Sequence, residues 1–144
     1  MTDVPADISD DTSGVAATIA AYCAAYNLGE RPFDMKGVER FYRHDGPLMI
    51  AIPAAPDRLF LSWNEYRTAW AGTLENFQSF GFSTGGDLVV SRIGRVAWAS
   101  QTGHSHGKRL DGTEFRRALR QTLVLALDGE EWRIVQEHVS LIAA

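Results

Sequence analysis

The chain has 144 residues, enough for one domain with a single substantial core. With 45% hydrophobic and 22% charged residues and a net charge of -4, it gives no electrostatic reason to expect a nucleic acid or an anionic membrane as a partner. Cys23 is the one cysteine, so no internal disulfide can form, and no apolar run approaches the roughly 18 residues of a membrane span. The acidic start lacks the basic residues of a signal peptide. We therefore expect a cytoplasmic protein.

The first half of the chain carries two helical patterns after an acidic start. Residues 1–12 are expected to form a flexible N-terminus ahead of a single domain over 13–144. The first helix is predicted from apolar residues at helical spacing, with Asn27-Leu28-Gly29 as its stop: Val15, Ile19, Tyr22 or Cys23, and Tyr26. After Pro32, Asp34 can cap a short second helix, whose apolar side would carry Val38, Phe41 and Tyr42.

The third helix has the clearest signal. Ser62-Trp63-Asn64-Glu65 has the form of a capping box. An aromatic and apolar stripe follows at intervals of about four residues: Tyr66, Trp70, Leu74 and Phe77. Between the second and third helices, residues 48–52 indicate a buried strand that Pro53 ends.

From Phe80 onward the hydrophobic period changes from about four to two. Strand segments are predicted near 80–91, 95–106, 114–127 and 131–141, separated by turn sequences at Arg92-Ile93-Gly94, Leu110-Asp111-Gly112 and Asp128-Gly129. Within the first segment, Gly81 and Gly85-Gly86 indicate a bulge or bend that lets the sheet curve. The predicted fold class is α+β: a cone of three N-terminal helices packed on a strongly curved, mainly antiparallel sheet, with a cavity between them.

Four segments carry a family resemblance across residues 13–142. They are Tyr26-Asn27-Leu28-Gly29, Phe41-Tyr42-Arg43-His44-Asp45, Gly94-Arg95-Val96-Ala97-Trp98, and the run from Asp128-Gly129 to Trp132-Arg133-Ile134-Val135-Gln136-Glu137-His138-Val139-Ser140. Together they resemble the SnoaL-like branch of the nuclear transport factor 2-like superfamily, which includes ketosteroid isomerases and polyketide cyclases. The resemblance implies the cone-shaped fold, a cavity, and commonly a homodimer formed through the sheet. It implies no single reaction, because one fold supports many chemistries.

The sequence lacks part of the ketosteroid isomerase site. That chemistry needs a carboxylate base and an oxyanion pair of tyrosine and protonated aspartic acid. Residues 48–53 have no carboxylate where the base would lie, and residues 95–106 contain no aspartate. Tyr22 and Tyr26 remain as possible phenol donors, but steroid isomerisation by that mechanism is not expected.

The turn at Asp128-Gly129 decides which side chains of the last two strands face the cavity. An even turn places one set on the inner face: Gln121, Leu123, Leu125, Leu127, Trp132, Ile134, Gln136 and His138. Arg133 and Glu137 would then lie outside. An odd turn with a bulge would instead bring in Arg116, Arg120 and Thr122, which favour a carboxylate-bearing ligand. We prefer the even turn because it groups the leucines with the tryptophan.

His138 is the predicted acid/base catalyst, because imidazole exchanges a proton near neutral pH. The competing interpretation is a neutral histidine that is hydrogen-bonded in the core. Tyr26 is the second predicted catalytic residue, as a proton donor. The predicted ligand-binding residues are Tyr22, Trp70, Trp98, Gln121 and Gln136. The expected ligand is a small apolar or amphipathic molecule.

No cofactor or metal site is predicted. His104 and His106 share a strand face but lack the further ligands that zinc needs, and there is no glycine-rich phosphate loop. Two functions remain open at this point. One is an acid/base enzyme of the isomerase, cyclase or hydrolase type that acts on an apolar oxygenated ligand. The other is a noncatalytic dimerisation or ligand-binding module.

Overall fold

The computed structural model describes residues 11–27 and 35–143. The helices are α1 (Ser13–Ala25) and α2 (Trp63–Leu74), with two short 3₁₀ turns between them, Met35–Gly37 and Glu39–Phe41. The strands are β1 (Met49–Ala51), β2 (Phe77–Thr84), β3 (Val89–Ile93), β4 (Val96–Arg109), β5 (Glu114–Asp128) and β6 (Glu131–Leu141). The predicted α+β class is confirmed, and the middle helix takes the form of the two 3₁₀ turns. None of the helices in the described ranges is long and apolar enough to cross a membrane.

Both α-helices follow their sequence patterns, except that Phe77, predicted on the α2 stripe, begins β2. Helix α1 buries the predicted stripe of Val15, Ile19, Tyr22 and Cys23. At the start of α2 the Ser62 hydroxyl accepts a hydrogen bond from the Glu65 amide at 3.2 Å, as the capping box predicts. The predicted helix stop at Leu28 and Gly29, the Pro32 break, the Asp34 cap and residues 1–10 lie outside the described residues.

Five strands lie in the order β1-β6-β5-β4-β2, and β3 pairs with the first half of β4. The predicted segment near 80–91 is therefore two strands, β2 and β3, separated where Gly86 has a φ of +75°. Asp87 closes this gap by accepting hydrogen bonds from the Thr102 amide at 2.9 Å and hydroxyl at 2.7 Å. Only the pairing of β1 with β6 is parallel among the described strands, so the sheet is mixed and mainly antiparallel.

Strand β6 contains a bulge that the even-turn prediction lacks. The hairpin closes at Asp128 and Glu131 over a two-residue turn, and Ile134 still pairs with Leu125. The register then shifts so that Gln136 pairs with Val124, which leaves Val135 as an extra residue on β6. One extra residue reverses the alternation of every side chain that follows.

The bulge changes which polar residues of β6 face inward. Trp132 and Ile134 are buried as predicted, because they precede it. Beyond it, the inner position belongs to Glu137, which is only 2% exposed. His138 is exposed and Gln136 is half-buried on the opposite face, so the prediction that these two point into the cavity is wrong.

Candidate functional site

A cavity of about 330 Å³ lies between the helices and the inner face of the sheet. Its inner end is formed by Tyr22, Gln121 and Glu137, and its rim by Arg109, Phe115, Arg117 and Leu141. The remaining wall includes six aromatic side chains: Tyr26, Tyr66, Trp70, Phe77, Phe80 and Phe82. A largely apolar wall with a few polar groups is typical of small-molecule sites.

Glu137 is the centre of a buried hydrogen-bond cluster at the inner end. The Tyr42 hydroxyl donates to its Oε1 at 2.6 Å. The Tyr22 hydroxyl donates to its Oε2 at 2.6 Å, and the Gln121 amide donates to the same oxygen at 2.8 Å. The two tyrosine hydroxyls also contact each other. Tyr22 lines the cavity, whereas Tyr42 lies behind the carboxyl group and stacks on Trp63 with ring centroids 5.0 Å apart.

Glu137 is buried without a positively charged partner among the described residues. Burial raises the pKa of its carboxyl group, and the hydrogen bonds from Tyr22, Tyr42 and Gln121 act in the opposite direction. The net direction is upward, so Glu137 holds its proton to a higher pH than a glutamate in water. An upward shift of this kind makes the ionised carboxylate a stronger base, which suits acid/base catalysis.

A second buried amide fixes the orientation of Gln121. Gln101 Nε2 donates to the Gln121 oxygen at 2.8 Å, which leaves the Gln121 amide nitrogen to face Glu137. The same Gln101 nitrogen donates to the Cys23 sulfur at 3.3 Å. Burial raises the pKa of the Cys23 thiol to about 11, so Cys23 is a neutral thiol near pH 7. This agrees with the interpretation of Cys23 as a small buried side chain and not a nucleophile.

Tyr26 and Trp70 bring hydrogen-bond donors to the cavity wall. The hydroxyl groups of Tyr26 and Tyr22 are 3.4 Å apart. Burial, followed by the charge of Glu137, raises the pKa of both phenols, so both are neutral donors at physiological pH. Trp70 is 9% exposed, and its Nε1 has no hydrogen-bond partner among the described residues. A buried donor without a partner costs about 1–3 kcal/mol, which an acceptor on a ligand would offset.

Four of the predicted site residues meet at the cavity and three do not. Those that line it are Tyr22, Tyr26, Trp70 and Gln121. Gln136 and His138 lie on the outer face because of the bulge. The prediction that Trp98 lines the cavity is also wrong: its neighbours Ala97 and Ala99 take the buried positions of β4, and Trp98 is 43% exposed.

The strand β5 has the orientation that the even turn predicts. Arg116 and Arg120 are exposed on the outer face, and Gln121 is buried. Arg117 is also expected outside, as a charge on the exterior of the strand beside Arg116, but it lies on the cavity wall, so that prediction is wrong. Glu137, Tyr42 and Gln101 were also missed. Glu137 was assigned to the outside by strict alternation, and only the bulge reverses that assignment.

The sequence matches the SnoaL-like domain family over residues 15–144. No curated protein matches it. Among solved structures, it is similar to a proposed dehydratase of the NTF2-like family from Streptomyces avermitilis, with 17% identity and a TM-score of 0.78 over 93% of this chain and 98% of that one. It is also similar to a proposed aromatic ring hydroxylase from Novosphingobium aromaticivorans, with 12% identity and a TM-score of 0.76 over 93% of this chain and 90% of that one.

A third similar structure is a proposed ketosteroid isomerase from Shewanella frigidimarina, with 18% identity and a TM-score of 0.65 over 89% of this chain and 95% of that one. Identities this low show a shared fold and leave the reaction open. The family match covers nearly the whole domain, including all but the first two residues of α1, the whole of α2 and each of the strands β1 to β6. The chain therefore belongs to the SnoaL-like domain family and has the NTF2-like fold.

Proposed function

We propose that this protein is an acid/base enzyme that binds a small, apolar, oxygenated molecule in the cavity and exchanges a proton with it at Glu137. The observation that carries the proposal is a buried carboxyl group, without a cationic partner in the described residues, at the inner end of an aromatic cavity. Burying such a group costs free energy, and the neutral hydrogen-bond donors around it offset that cost only in part. A proton-transfer role would explain why the cavity contains it.

The other polar groups of the cavity suit the charge that such a reaction develops. When a base removes a proton from the carbon beside a carbonyl group, the C–H electron pair moves toward the carbonyl oxygen, which becomes negative. Neutral donors aimed at that oxygen stabilise the transition state. The Tyr26 hydroxyl and the Trp70 indole N–H both line the cavity as neutral donors, with Glu137 as the base. Isomerase and cyclase reactions use steps of this kind.

The proposal is tested by hydrogen exchange on a neutral ketone. The rate at which β-tetralone and cyclohexanone exchange their α-hydrogens in heavy water is followed by NMR. We expect the protein to raise this rate, and Glu137→Gln to lower it by about 10² to 10⁴-fold, the usual contribution of a positioned acid/base group. Glu130→Gln, the same change in an exposed turn residue, is the matched control and should keep the full rate.

An exchange rate that equals the protein-free rate for both ketones would contradict the proposal. Full activity of Glu137→Gln would contradict the assignment of Glu137. Binding without exchange would favour the second candidate, a noncatalytic ligand-binding module. One observation favours that candidate: both carboxylate oxygens of Glu137 already accept hydrogen bonds from protein groups, as a purely structural acid would. A dimerisation module whose interior is filled by side chains is not supported, because the structure has a cavity of about 330 Å³.

We also propose that the protein acts in the cytoplasm as a homodimer formed through the outer face of the sheet. Trp98 is 43% exposed on that face beside Val96, which is 45% exposed, and Trp98 pairs in register with Val124. An exposed apolar group of this kind commonly marks an interface. Size-exclusion chromatography with light scattering should give a dimer at micromolar concentration, and Trp98→Lys should give a monomer. A monomeric wild-type protein would contradict this part of the proposal.

A further inference from the structure

We infer that the ligand carries a carboxylate group, which Arg117 and Arg109 bind at the rim while the apolar body of the ligand extends toward Glu137. The inference rests on the proposed function and adds a substrate class to it: oxygenated molecules whose aryl or alkyl body also carries a carboxylic acid. Its basis is the polarity of the cavity, with two guanidinium groups at one end and one carboxyl group at the other.

Arg117 lies on the inner face of β5, where alternation places it in line with Leu119 and Gln121. Arginines on a strand usually lie on the solvent face, as the neighbouring Arg116 does. Across the sheet Arg117 pairs in register with Ser105, which is buried and also lines the cavity. Arg117 thus adds a positive charge and Ser105 a hydroxyl group to the same part of the wall.

Arg109 supplies the second positive charge. Its guanidinium carbon lies 5.1 Å from the centroid of the Phe115 ring, and both residues line the rim. A cation over an aromatic face is held in place without using its hydrogen-bond donors. Hydrogen bonds from Thr113 lower the pKa of the exposed Asp111 carboxyl group, and the charge of Arg109 adds to that effect.

Neither rim arginine forms a side-chain ion pair or hydrogen bond with another described residue, although the chain has 18 acidic residues against 14 basic ones. Elsewhere on the surface, arginines do lie beside carboxylates, as Arg133 does beside Glu131 and Arg43 beside Asp45. Guanidinium groups match a carboxylate with two parallel hydrogen bonds, which makes a carboxylate the ligand group that fits the rim.

The two charged ends of the cavity are far enough apart for one ligand to use both. Glu137 pairs with Leu123, and Arg117 is six residues from Leu123 along β5, about 20 Å of strand at the usual rise per residue. The long arginine side chains cover part of this distance. The wall between the two ends includes Phe80 and Leu119, which suit an alkyl or aryl body. A carboxylate at the rim would therefore avoid repulsion by Glu137.

The test compares carboxylic acids with alcohols of the same length. Phenylalkanoates from phenylacetate to phenylhexanoate, and straight-chain alkanoates of matching length, are titrated by calorimetry beside the corresponding alcohols. We expect at least one acid to bind about tenfold more tightly than its alcohol, the size of a single charge-assisted hydrogen bond. The aryl and alkyl series show which body the wall prefers. Added salt should reduce the preference, because the rim is exposed.

Variants assign the preference to the rim. Arg117→Gln and Arg109→Gln should each lose most of the preference for an acid over its alcohol. Arg116→Gln is the matched control, because it removes the same charge from the neighbouring position on the outer face. The inference is overturned if no acid in either series binds more tightly than its alcohol, or if Arg116→Gln weakens acid binding as much as Arg117→Gln does. Ketone exchange that depends on Glu137 would survive either result, so failure at the rim is distinguishable from failure of the proposed function.

Discussion

Removing the hydroxyl group of Tyr42 should destabilise the protein in a pH-dependent way. Tyr42 donates the hydrogen bond that Glu137 Oε1 accepts, at 2.6 Å, whereas Oε2 has two donors. Tyr42→Phe keeps the ring and its stacking on Trp63, so the packing term is small. A hydrogen bond to a charged group contributes about 1.5–3 kcal/mol, and we therefore expect Tyr42→Phe to lose about 2 kcal/mol of unfolding free energy where Glu137 is ionised.

The sign of the pH dependence follows from the pKa of Glu137. Burial raises this pKa above the ordinary value of 4.5, and the Tyr42 hydrogen bond lowers it in part. A group whose pKa is raised by folding contributes stability at low pH, which is lost as the pH rises through the folded value. Tyr42→Phe should raise the pKa of Glu137 further, so the loss should be larger at about pH 8 than at about pH 5.

The assay is urea unfolding of four proteins at both pH values: wild type, Tyr42→Phe, Glu137→Gln and the double variant. The Tyr42→Phe loss should shrink in the Glu137→Gln background, giving a coupling energy of about 1 kcal/mol or more at the higher pH. Tyr26→Phe is the control, because it deletes a hydroxyl group that does not contact Glu137 in the structure. A Tyr42→Phe loss that is the same at both pH values and in both backgrounds would refute the reasoning.

Three further predictions concern the same cluster. Glu137→Gln should flatten the fall in stability between about pH 5 and about pH 8, because it removes the group whose pKa is raised by folding. Thermal unfolding across that pH range tests this prediction. An unchanged slope of stability against pH would contradict it. Gln101→Leu should slow ketone exchange by about tenfold, because Gln121 loses the hydrogen bond that orients its amide toward Glu137. An exchange rate equal to that of the wild type would show that other contacts orient Gln121. His138→Ala should leave ketone exchange unchanged, since His138 is exposed on the outer face; a large loss in NMR-measured exchange would restore the original assignment.

Local signals were sufficient for most of the fold. The capping box at Ser62 and the four-residue stripe through Tyr66 and Trp70 placed α2 correctly, because both depend on contacts within one helix. The even turn after Asp128 was also correct, and it gave the inner face of β5. These features are encoded by neighbouring residues, so a single sequence is enough to identify them.

The candidate site was only partly predictable, because it depends on a nonlocal feature. Strict alternation along β6 puts Gln136 and His138 beside Trp132, and nothing in the local pattern marks Val135 as an extra residue. Both registers bury a plausible set of side chains, since the bulged one exchanges His138 for Glu137. The choice between the two registers depends on whether Glu137 or His138 finds hydrogen-bond partners across the core. One of the donors to Glu137 is Tyr42, which is almost a hundred residues away in sequence.

The pH dependence of ketone exchange tests the role of Glu137 most directly. The rate of α-hydrogen exchange on β-tetralone is measured from acid to neutral pH for wild type, Glu137→Gln and Glu130→Gln. The wild-type and Glu130→Gln rates should rise together through a single ionisation above the ordinary glutamate value of 4.5, and the rise should be absent in Glu137→Gln. A rise that persists in Glu137→Gln would show that another group moves the proton.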